Sequence, residues 1–246
     1  MELLTIIIAA LAPAAVLLYF IWKKDSLQQE PVKELLRAFG MGVASVFVSL
    51  AITSPMMSTG LIPTDPQTFW QCVADAFLGA AIPEEIAKFL MFWLLVRKSR
   101  FFDERMDGIV YASCVALGFA GLENIMYLIT NYEDWVQVGI TRAIFSVPGH
   151  FFFGVLMGYF YSLVRFDPTT PRINYVMVLA APMLAHGLFN STLMVMDLAS
   201  SWSLLLMVAF LWGINKLRKL ASQSIAKHLE ADGVVQSQAT EWPGTN

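Results

Sequence analysis

Seven apolar stretches, each about as long as a membrane-spanning helix, leave this chain few folds to adopt. A spanning helix needs about 20 predominantly apolar residues, and such stretches occupy most of the 246 residues. They cover approximately residues 3–22, 36–56, 69–96, 108–130, 141–164, 173–196 and 201–217. Because 57% of the residues are hydrophobic and only 14% are charged, a soluble domain is excluded. The sequence predicts an all-α transmembrane helix bundle of about seven spans.

The basic residues predict the orientation of these spans, because Lys and Arg accumulate in cytoplasmic loops. Lys or Arg occurs after the first, third, fifth and seventh stretches, whereas the second, fourth and sixth connections contain neither. This alternation predicts a plasma-membrane protein with its N-terminus outside and its C-terminus inside. We expect one integral domain over residues 1–220 and a cytoplasmic tail over residues 221–246 that is disordered or forms a short surface helix, with His228 in solvent. No basic patch indicates a nucleic-acid partner.

The third stretch carries three ionisable side chains, Glu84, Glu85 and Lys88. Each charged side chain at the centre of a membrane helix costs about 2.5 to 3.5 kcal/mol on insertion scales, so such residues usually serve function. Glu84 and Lys88 are four residues apart and share a helix face, and Glu85 is three residues from Lys88. Pro83 directly precedes the acidic pair and should loosen the helix there. The segment therefore suits a polar cavity at membrane depth.

Three further stretches carry polar side chains at helical spacing. Glu123 lies on the fourth stretch, Arg142 and His150 on the fifth, and His186 with Asn190 on the sixth. Counting 1.5 Å per residue from the outer ends places the acidic pair, Glu123, both histidines and Asn190 roughly 10 to 20 Å deep. We expect these groups to meet in one layer, in the middle to outer half of the bilayer.

Carboxylates and imidazoles around a water molecule can carry out general acid and base hydrolysis. A carboxylate would take the proton of the water, and His and Asn N–H groups would stabilise the oxyanion. Two alternatives use the same residues differently. A proton- or ion-coupled transporter would use the Glu, Lys and His side chains as relay or substrate sites, and a non-catalytic sensor would use them only to assemble helices.

The motifs resemble those of the PrsW family of glutamic-type intramembrane proteases, which are related to the CAAX prenyl endopeptidases and the bacteriocin-processing proteins. The resemblance rests on Glu84-Glu85-x-x-Lys88, Phe119-x-x-x-Glu123, the segment from Arg142 to His150, and His186-x-x-x-Asn190. It implies an intramembrane endopeptidase. It also implies a single-span substrate in a bacterial cell membrane, such as an anti-sigma factor that is cut on its outer side as a first step of regulated proteolysis.

The resemblance further implies roles for the individual residues. Glu84 would be the general base, Glu85 its partner, His150 a second group that holds the water, and His186 with Asn190 the oxyanion site. Lys88, Glu123 and Arg142 would support them. Where CAAX-type relatives have a histidine after Phe-x-x-x, this chain has Glu123, so either Glu123 or His150 supplies the missing ligand.

The resemblance leaves the cofactor open, because the family has also been labelled as metalloproteases. Glutamic-type relatives work without a catalytic metal, and we expect no cofactor on that ground. Two glutamates and two histidines could nevertheless bind zinc. If a metal is present, Glu84, His150 and His186 are its expected ligands.

Overall fold

The computed structural model describes residues 2–63, 65–198 and 203–241. Within these residues it has seven helices and no strand, which confirms the all-α prediction. The helices are α1 (Glu2–Lys24), α2 (Val32–Ser58), α3 (69–96), α4 (Arg105–Thr130), α5 (Tyr132–Phe166), α6 (Ile173–Leu198) and α7 (Ser203–Glu241). Most bounds lie within a few residues of the apolar stretches, but α5 begins nine residues earlier than predicted and α7 is much longer than predicted.

Five of the described helices are long and apolar enough to cross a membrane, namely α1, α2, α4, α5 and α6. Helix α3 consists of three short consecutive segments, Phe69–Ala74, Asp75–Ala81 and Ile82–Val96. Helix α7 is apolar at its start and becomes polar after residue 214. The prediction of about seven spans therefore depends on whether α3 and α7 also cross, and the inside and outside assignment stays a prediction.

Helix α4 lies at the centre of the bundle, and glycines let its neighbours approach it closely. A Cβ atom built on Gly42 of α2 would lie 2.0 Å from the carbonyl oxygen of Val115 in α4. On the other side, a Cβ atom on Gly158 of α5 would lie 2.1 Å from the carbonyl oxygen of Gly108. Small residues of this kind allow backbone contact between membrane helices. The result is a rigid α2–α4–α5 core.

Two π-helical turns precede the polar residues of the predicted site. One covers Asp75–Ala81 in α3 and is followed by Pro83, and the other covers Arg142–Ser146 in α5 and is followed by Pro148. Proline cannot donate a backbone hydrogen bond to the preceding turn, and its ring crowds the carbonyl four residues back. The wider π turn relieves the crowding and the missing hydrogen bond. Such turns are frequent at functional sites. Here they set the direction of the acidic pair and of His150.

Helix α7 continues through residues 221–241, part of the tail expected to be disordered or a short surface helix. Its apolar side chains Ala221 and Ile225 are buried against the bundle. The expectation that His228 lies in solvent is wrong, because its side chain is buried, stacks on Tyr159 and contacts the Tyr159 carbonyl oxygen at 3.2 Å. Asp232 accepts hydrogen bonds from the first backbone N–H groups of α4, which are otherwise without a helical partner.

Two buried acidic residues, Asp25 and Glu30, lie in the connection between α1 and α2. The side chain of Asp25 accepts a hydrogen bond from the Glu30 backbone N–H at 3.2 Å, and the Tyr111 hydroxyl donates to the Glu30 carboxylate. Burial is the main cause that raises the pKa of Asp25 to about 7; the charges of Glu30, Glu104 and Asp232 contribute to the rise, and the hydrogen bond from the Glu30 backbone opposes it. Folding therefore favours the protonated form of Asp25.

We predict that Gly42→Ala weakens the α2–α4 contact by about 1 to 3 kcal/mol, the usual range for overpacking a core. The matched control is Gly40→Ala in the same helix, where a Cβ atom would meet nothing within 4 Å. Because alanine is a better helix former by about 1 kcal/mol, this control should be neutral or slightly stabilising. Thermal unfolding of both variants in detergent measures the difference, and equal effects would contradict the packing account.

We predict that Asp25→Asn stabilises the protein more at pH 8 than at pH 5. The pKa of Asp25 is raised from 3.8 to about 7 in the folded protein, so wild type loses stability as the pH rises from about 4 through about 7. Asparagine removes that loss and can still accept from the Glu30 backbone. The midpoint of thermal unfolding of both proteins, measured at the two pH values, tests this. A difference independent of pH would contradict it.

Candidate active site

The ammonium group of Lys88 lies at the centre of the polar cluster. Its Nζ atom is 3.2 Å from Oε2 of Glu84, 2.9 Å from Oε1 of Glu85 and 3.0 Å from Nδ1 of His150. The same atom lies 4.0 Å from the centre of the Phe119 ring. An ammonium has three donors, so these three acceptors use all of them. The lysine side chain is fully enclosed, with 1% of it exposed.

The two adjacent glutamates have different surroundings. Glu85 is completely buried, and its Oε1 atom accepts from Lys88 and from Nδ1 of His186, each at 2.9 Å. Glu84 has one hydrogen bond to Lys88, and its side chain is 10% exposed. Its Oε2 atom lies 3.9 Å from Nε2 of His186, a separation that a water molecule can bridge. Of the pair, Glu84 is thus the carboxylate that water can reach.

Both ring nitrogens of His150 have partners. Lys88 can only donate, so Nδ1 of His150 accepts and carries no proton. The other nitrogen, Nε2, lies 3.0 Å from Oε2 of Glu123 and donates to it. His150 is therefore a neutral imidazole that joins Lys88 to Glu123.

Glu123 is also held by a guanidinium. Arg142 donates from Nη2 to Oε2 of Glu123 at 2.5 Å and from Nε to Oδ1 of Asn124 at 2.8 Å, and it lies over the Tyr127 ring. Asn124 in turn donates to the Ala10 carbonyl oxygen at 2.8 Å. Sequence reasoning gave no role to Asn124, although its position next to Glu123 was the available signal. This chain of contacts ties the site to α1.

His186 completes the cluster on α6. Because the Glu85 carboxylate accepts from Nδ1, the Nε2 atom of neutral His186 is an acceptor, and the amide of Asn190 lies 3.2 Å from it. The imidazole stacks on Phe153 with ring centres 4.7 Å apart. The carboxylate and the aromatic ring together hold the orientation of His186.

A cavity of about 50 Å³ adjoins one side of the cluster, and Glu84, Glu85 and Lys88 are not among its lining residues. It is lined by Glu123, Tyr127, Arg142, Ser146, His150, Phe153, His186, Phe189 and Asn190. The lining includes three aromatic residues, Tyr127, Phe153 and Phe189, that the sequence analysis did not single out, since nothing in their spacing marks them. A space of this size holds a few water molecules, but it is too small for a peptide.

All eight side chains singled out in the sequence lie in one continuous network. Direct contacts link them in the order Arg142, Glu123, His150, Lys88, then Glu84 and Glu85, then His186 and Asn190. The network joins four helices, α3, α4, α5 and α6. Buried acids beside imidazoles and a water-sized cavity, inside a multi-pass helix bundle, are the features of an intramembrane hydrolase.

Comparison with known proteins identifies the family. Residues 30–214 match the family described as PrsW family intramembrane metalloprotease, and the chain belongs to the PrsW family. It is therefore a protease and a multi-pass protein of the cell membrane. The family assignment favours a protease over the transporter and sensor alternatives.

Curated relatives from several bacteria support this assignment. Protease PrsW of Geobacillus kaustophilus is 33% identical over 96% of this chain and 99% of its own length. Protease PrsW of Bacillus subtilis is 33% identical over 88% of this chain and 96% of its own, and that of Clostridioides difficile is 30% identical over 90% and 93%. No solved structure matches the chain.

The family description raises the question of whether these residues fit a metal ion. Ligand atoms of Glu84, Glu85, His150 and His186 lie within 4.8 Å of one another, and carboxylate and imidazole ligands suit zinc. However, the Lys88 ammonium contacts three of these four side chains at 2.9 to 3.2 Å. It holds the central position that a metal ion would need. In this arrangement the Lys88 ammonium already engages three of the four candidate ligands, which is the observation that argues against a bound metal ion.

We predict that the wild-type protein, mixed with equimolar zinc and desalted, retains no stoichiometric zinc. Lys88→Ala should retain more, because two buried carboxylates lose their cation and the central position opens. The double variant Lys88→Ala with Glu84→Gln is the control, since it opens the same space and lacks one ligand. Elemental analysis measures zinc per chain, and one zinc per chain in wild type would contradict the account.

Proposed function

We infer that this protease hydrolyses a peptide bond of a single-span membrane protein with a water molecule activated by Glu84, without a catalytic metal. The observation that carries this proposal is the Lys88 ammonium, which neutralises part of the charge of two carboxylates at the position where a metal would lie. A fixed cation lets buried carboxylates exist in a low-dielectric site. One ammonium cannot neutralise two carboxylates, so the remaining negative charge on Glu84 and Glu85 is available to take a proton.

Glu84 is the better candidate for the general base. Its one hydrogen bond to Lys88 leaves the Oε1 atom without a hydrogen-bond partner among the described residues. Glu85, in contrast, is fully buried and is held by both Lys88 and His186. A base must come within hydrogen-bond reach of the water, which favours Glu84. Glu85 then serves as the group that orients Lys88 and His186.

Between Glu123 and His150, the contacts favour Glu123 as the second group that holds the water. Both nitrogens of His150 are engaged, by Lys88 and by Glu123. Glu123 uses only Oε2 for its two contacts, lines the cavity and has 19% of its side chain exposed. His150 is then a positioning residue that connects the two charged groups.

Asn190 and His186 are suited to the developing charges of the reaction. The side-chain amide of Asn190 lines the cavity and can donate to the oxyanion. His186 has its tautomer set by Glu85, so its Nε2 atom can accept a proton and later release it. This arrangement of carboxylate and imidazole is the one that orients the base in serine hydrolases.

The reaction follows from these roles. Glu84 takes a proton from water while the water oxygen attacks the carbonyl carbon of the peptide bond. The carbonyl oxygen becomes an oxyanion that Asn190 stabilises. The oxyanion then re-forms the carbon–oxygen double bond as the carbon–nitrogen bond breaks, and the proton moves from Glu84, directly or through His186, to the leaving nitrogen, which yields a carboxylic acid and an amine. Every proton and bond is accounted for by water, the peptide and these three side chains.

The depth of the site supports a particular class of substrate. Counting from the outer helix ends placed the polar groups in the middle to outer half of the bilayer. A peptide bond can reach that layer only if its chain is anchored in the membrane. A single-span protein with an outer domain, such as an anti-sigma factor, fits this requirement, and its cleavage would begin regulated proteolysis at the cell membrane.

We predict that Glu84→Gln lowers cleavage of a co-expressed, tagged single-span protein by about 10²- to 10⁴-fold, the range of general base catalysis. Asn190→Ala should lower it by about 10²- to 10³-fold, as removal of an oxyanion donor does. The control is Glu133→Gln, which changes an exposed acid at the start of α5 and should leave cleavage as in wild type. Immunoblots at matched protein levels measure the products. Equal cleavage by wild type and Glu84→Gln would overturn the proposal.

A further inference from the structure

The catalytic cavity has to open before a peptide can enter it. Its volume of about 50 Å³ compares with roughly 300 to 1,000 Å³ for pockets that bind small ligands. On one side its wall is Phe189, the residue immediately before Asn190 on α6. The space on the other side of Phe189 is therefore a candidate route by which a substrate enters the cavity.

Beyond Phe189 lies an apolar groove between α6 and α7, which we call the α6–α7 groove. Its outer part is lined by Leu188 and Phe189 of α6 and by Phe210 and Gly213 of α7. Its inner part continues towards Met177 on α6 and Lys227 on α7. The two parts share Ala185, Leu217 and Leu220, so they form one continuous groove.

The length of the groove matches a membrane-spanning helix. Along α6 its lining runs from residue 177 to residue 192, which is about 22 Å at 1.5 Å per residue. The hydrocarbon core of a bilayer is about 30 Å thick. The groove therefore covers most of the span of a helix that lies parallel to α6, and its outer part borders the catalytic cavity.

Aromatic side chains separate the groove from the catalytic residues. The ring of Phe189 lies 5.1 Å from that of Phe210 and 6.0 Å from that of Phe153, measured between ring centres. Phe153 stacks on His186. Phe189 borders both spaces, so movement of the Phe189–Phe210 pair would join the groove to the cavity.

Helix α7 is attached unevenly to the bundle. Of residues 204–220, all of which the structure describes, only Phe210 is buried, and Leu204 is 78% exposed. The inner part of α7 is anchored by buried His228 and by Asp232, which accepts from backbone N–H groups of α4 at 2.8 and 3.1 Å. The outer part of α7 is therefore held to the bundle by Phe210 and a few half-buried side chains, whereas its inner part is anchored by buried polar contacts.

We propose that the α6–α7 groove binds the transmembrane helix of the substrate, and that separation of Phe189 and Phe210 admits the adjoining segment to Glu84 and Asn190. This inference rests on the proposed protease function. A protein helix is favoured as the occupant because the groove has the length of one and adjoins the hydrolytic residues.

Photo-crosslinking tests the proposed docking site. A photoreactive phenylalanine analogue is introduced at Leu188 in the groove, with matched controls at Val16 of α1 and Phe47 of α2, which are equally exposed apolar positions. All three variants carry Glu84→Gln, so the substrate is bound without being cut. The probe is the tagged single-span protein that wild type cleaves in the co-expression experiment. A crosslinked product at position 188, and its loss at both controls, is the expected result.

The outcomes separate the docking proposal from the protease proposal. Suppose that wild type cleaves the probe. If crosslinks then form equally at the control positions, or if position 188 crosslinks only to lipid, the docking site is overturned and the protease function stands. Absence of any wild-type cleavage of single-span proteins would instead overturn the proposed function.

A second measurement guards against a misfolded variant. Leu188→Trp should raise KM about tenfold by filling the groove, with kcat retained, whereas Phe47→Trp should change neither. An unchanged KM for Leu188→Trp would also overturn the docking site.

Discussion

The contact of one lysine with two glutamates, inside a membrane-embedded bundle, is the interaction on which the site depends. Two adjacent carboxylates in a low-dielectric interior repel each other and lose hydration. The ammonium of Lys88 compensates part of both charges and donates to His150 as well. Removal of one partner from a buried charge pair typically costs about 3 to 5 kcal/mol. The positions of Glu84, Glu85 and His150 are thus coupled through Lys88.

The fold supports this interaction through close backbone packing and locally widened helices. Glycines bring α2 and α5 against α4, so the polar faces of neighbouring helices lie within hydrogen-bond distance of each other. The π turns before Pro83 and Pro148 adjust the directions of α3 and α5 just ahead of the acidic pair and His150. At the other end of α4, Asp232 of α7 caps the first turn of that helix. The catalytic layer is therefore held from both sides of the bundle.

Helical periodicity, together with the position of each residue along its helix, was enough to predict which polar residues come together in the site. Residues spaced by four share a face, and equal depth on antiparallel helices brings them into one layer, as seen for His150 and His186. The pairing within the layer was not predictable, because it depends on which donor reaches which acceptor. Sequence left Glu123 and His150 as alternatives for the water, whereas their contacts show that His150 has no nitrogen to spare. The inner part of α7 was missed because its polar composition hides an amphipathic face.

We propose that the ammonium of Lys88, and not a metal ion, is the cation of this site. The test compares purified wild type with Lys88→Met. Cleavage of the single-span substrate by each protein is measured over a series of zinc concentrations. Methionine has a similar length and no charge, and size-exclusion chromatography checks that the variant is folded. We expect wild-type cleavage that does not depend on zinc, and a folded Lys88→Met that is inactive at every concentration. Cleavage by Lys88→Met that zinc restores, or wild-type cleavage that requires zinc, would contradict the account.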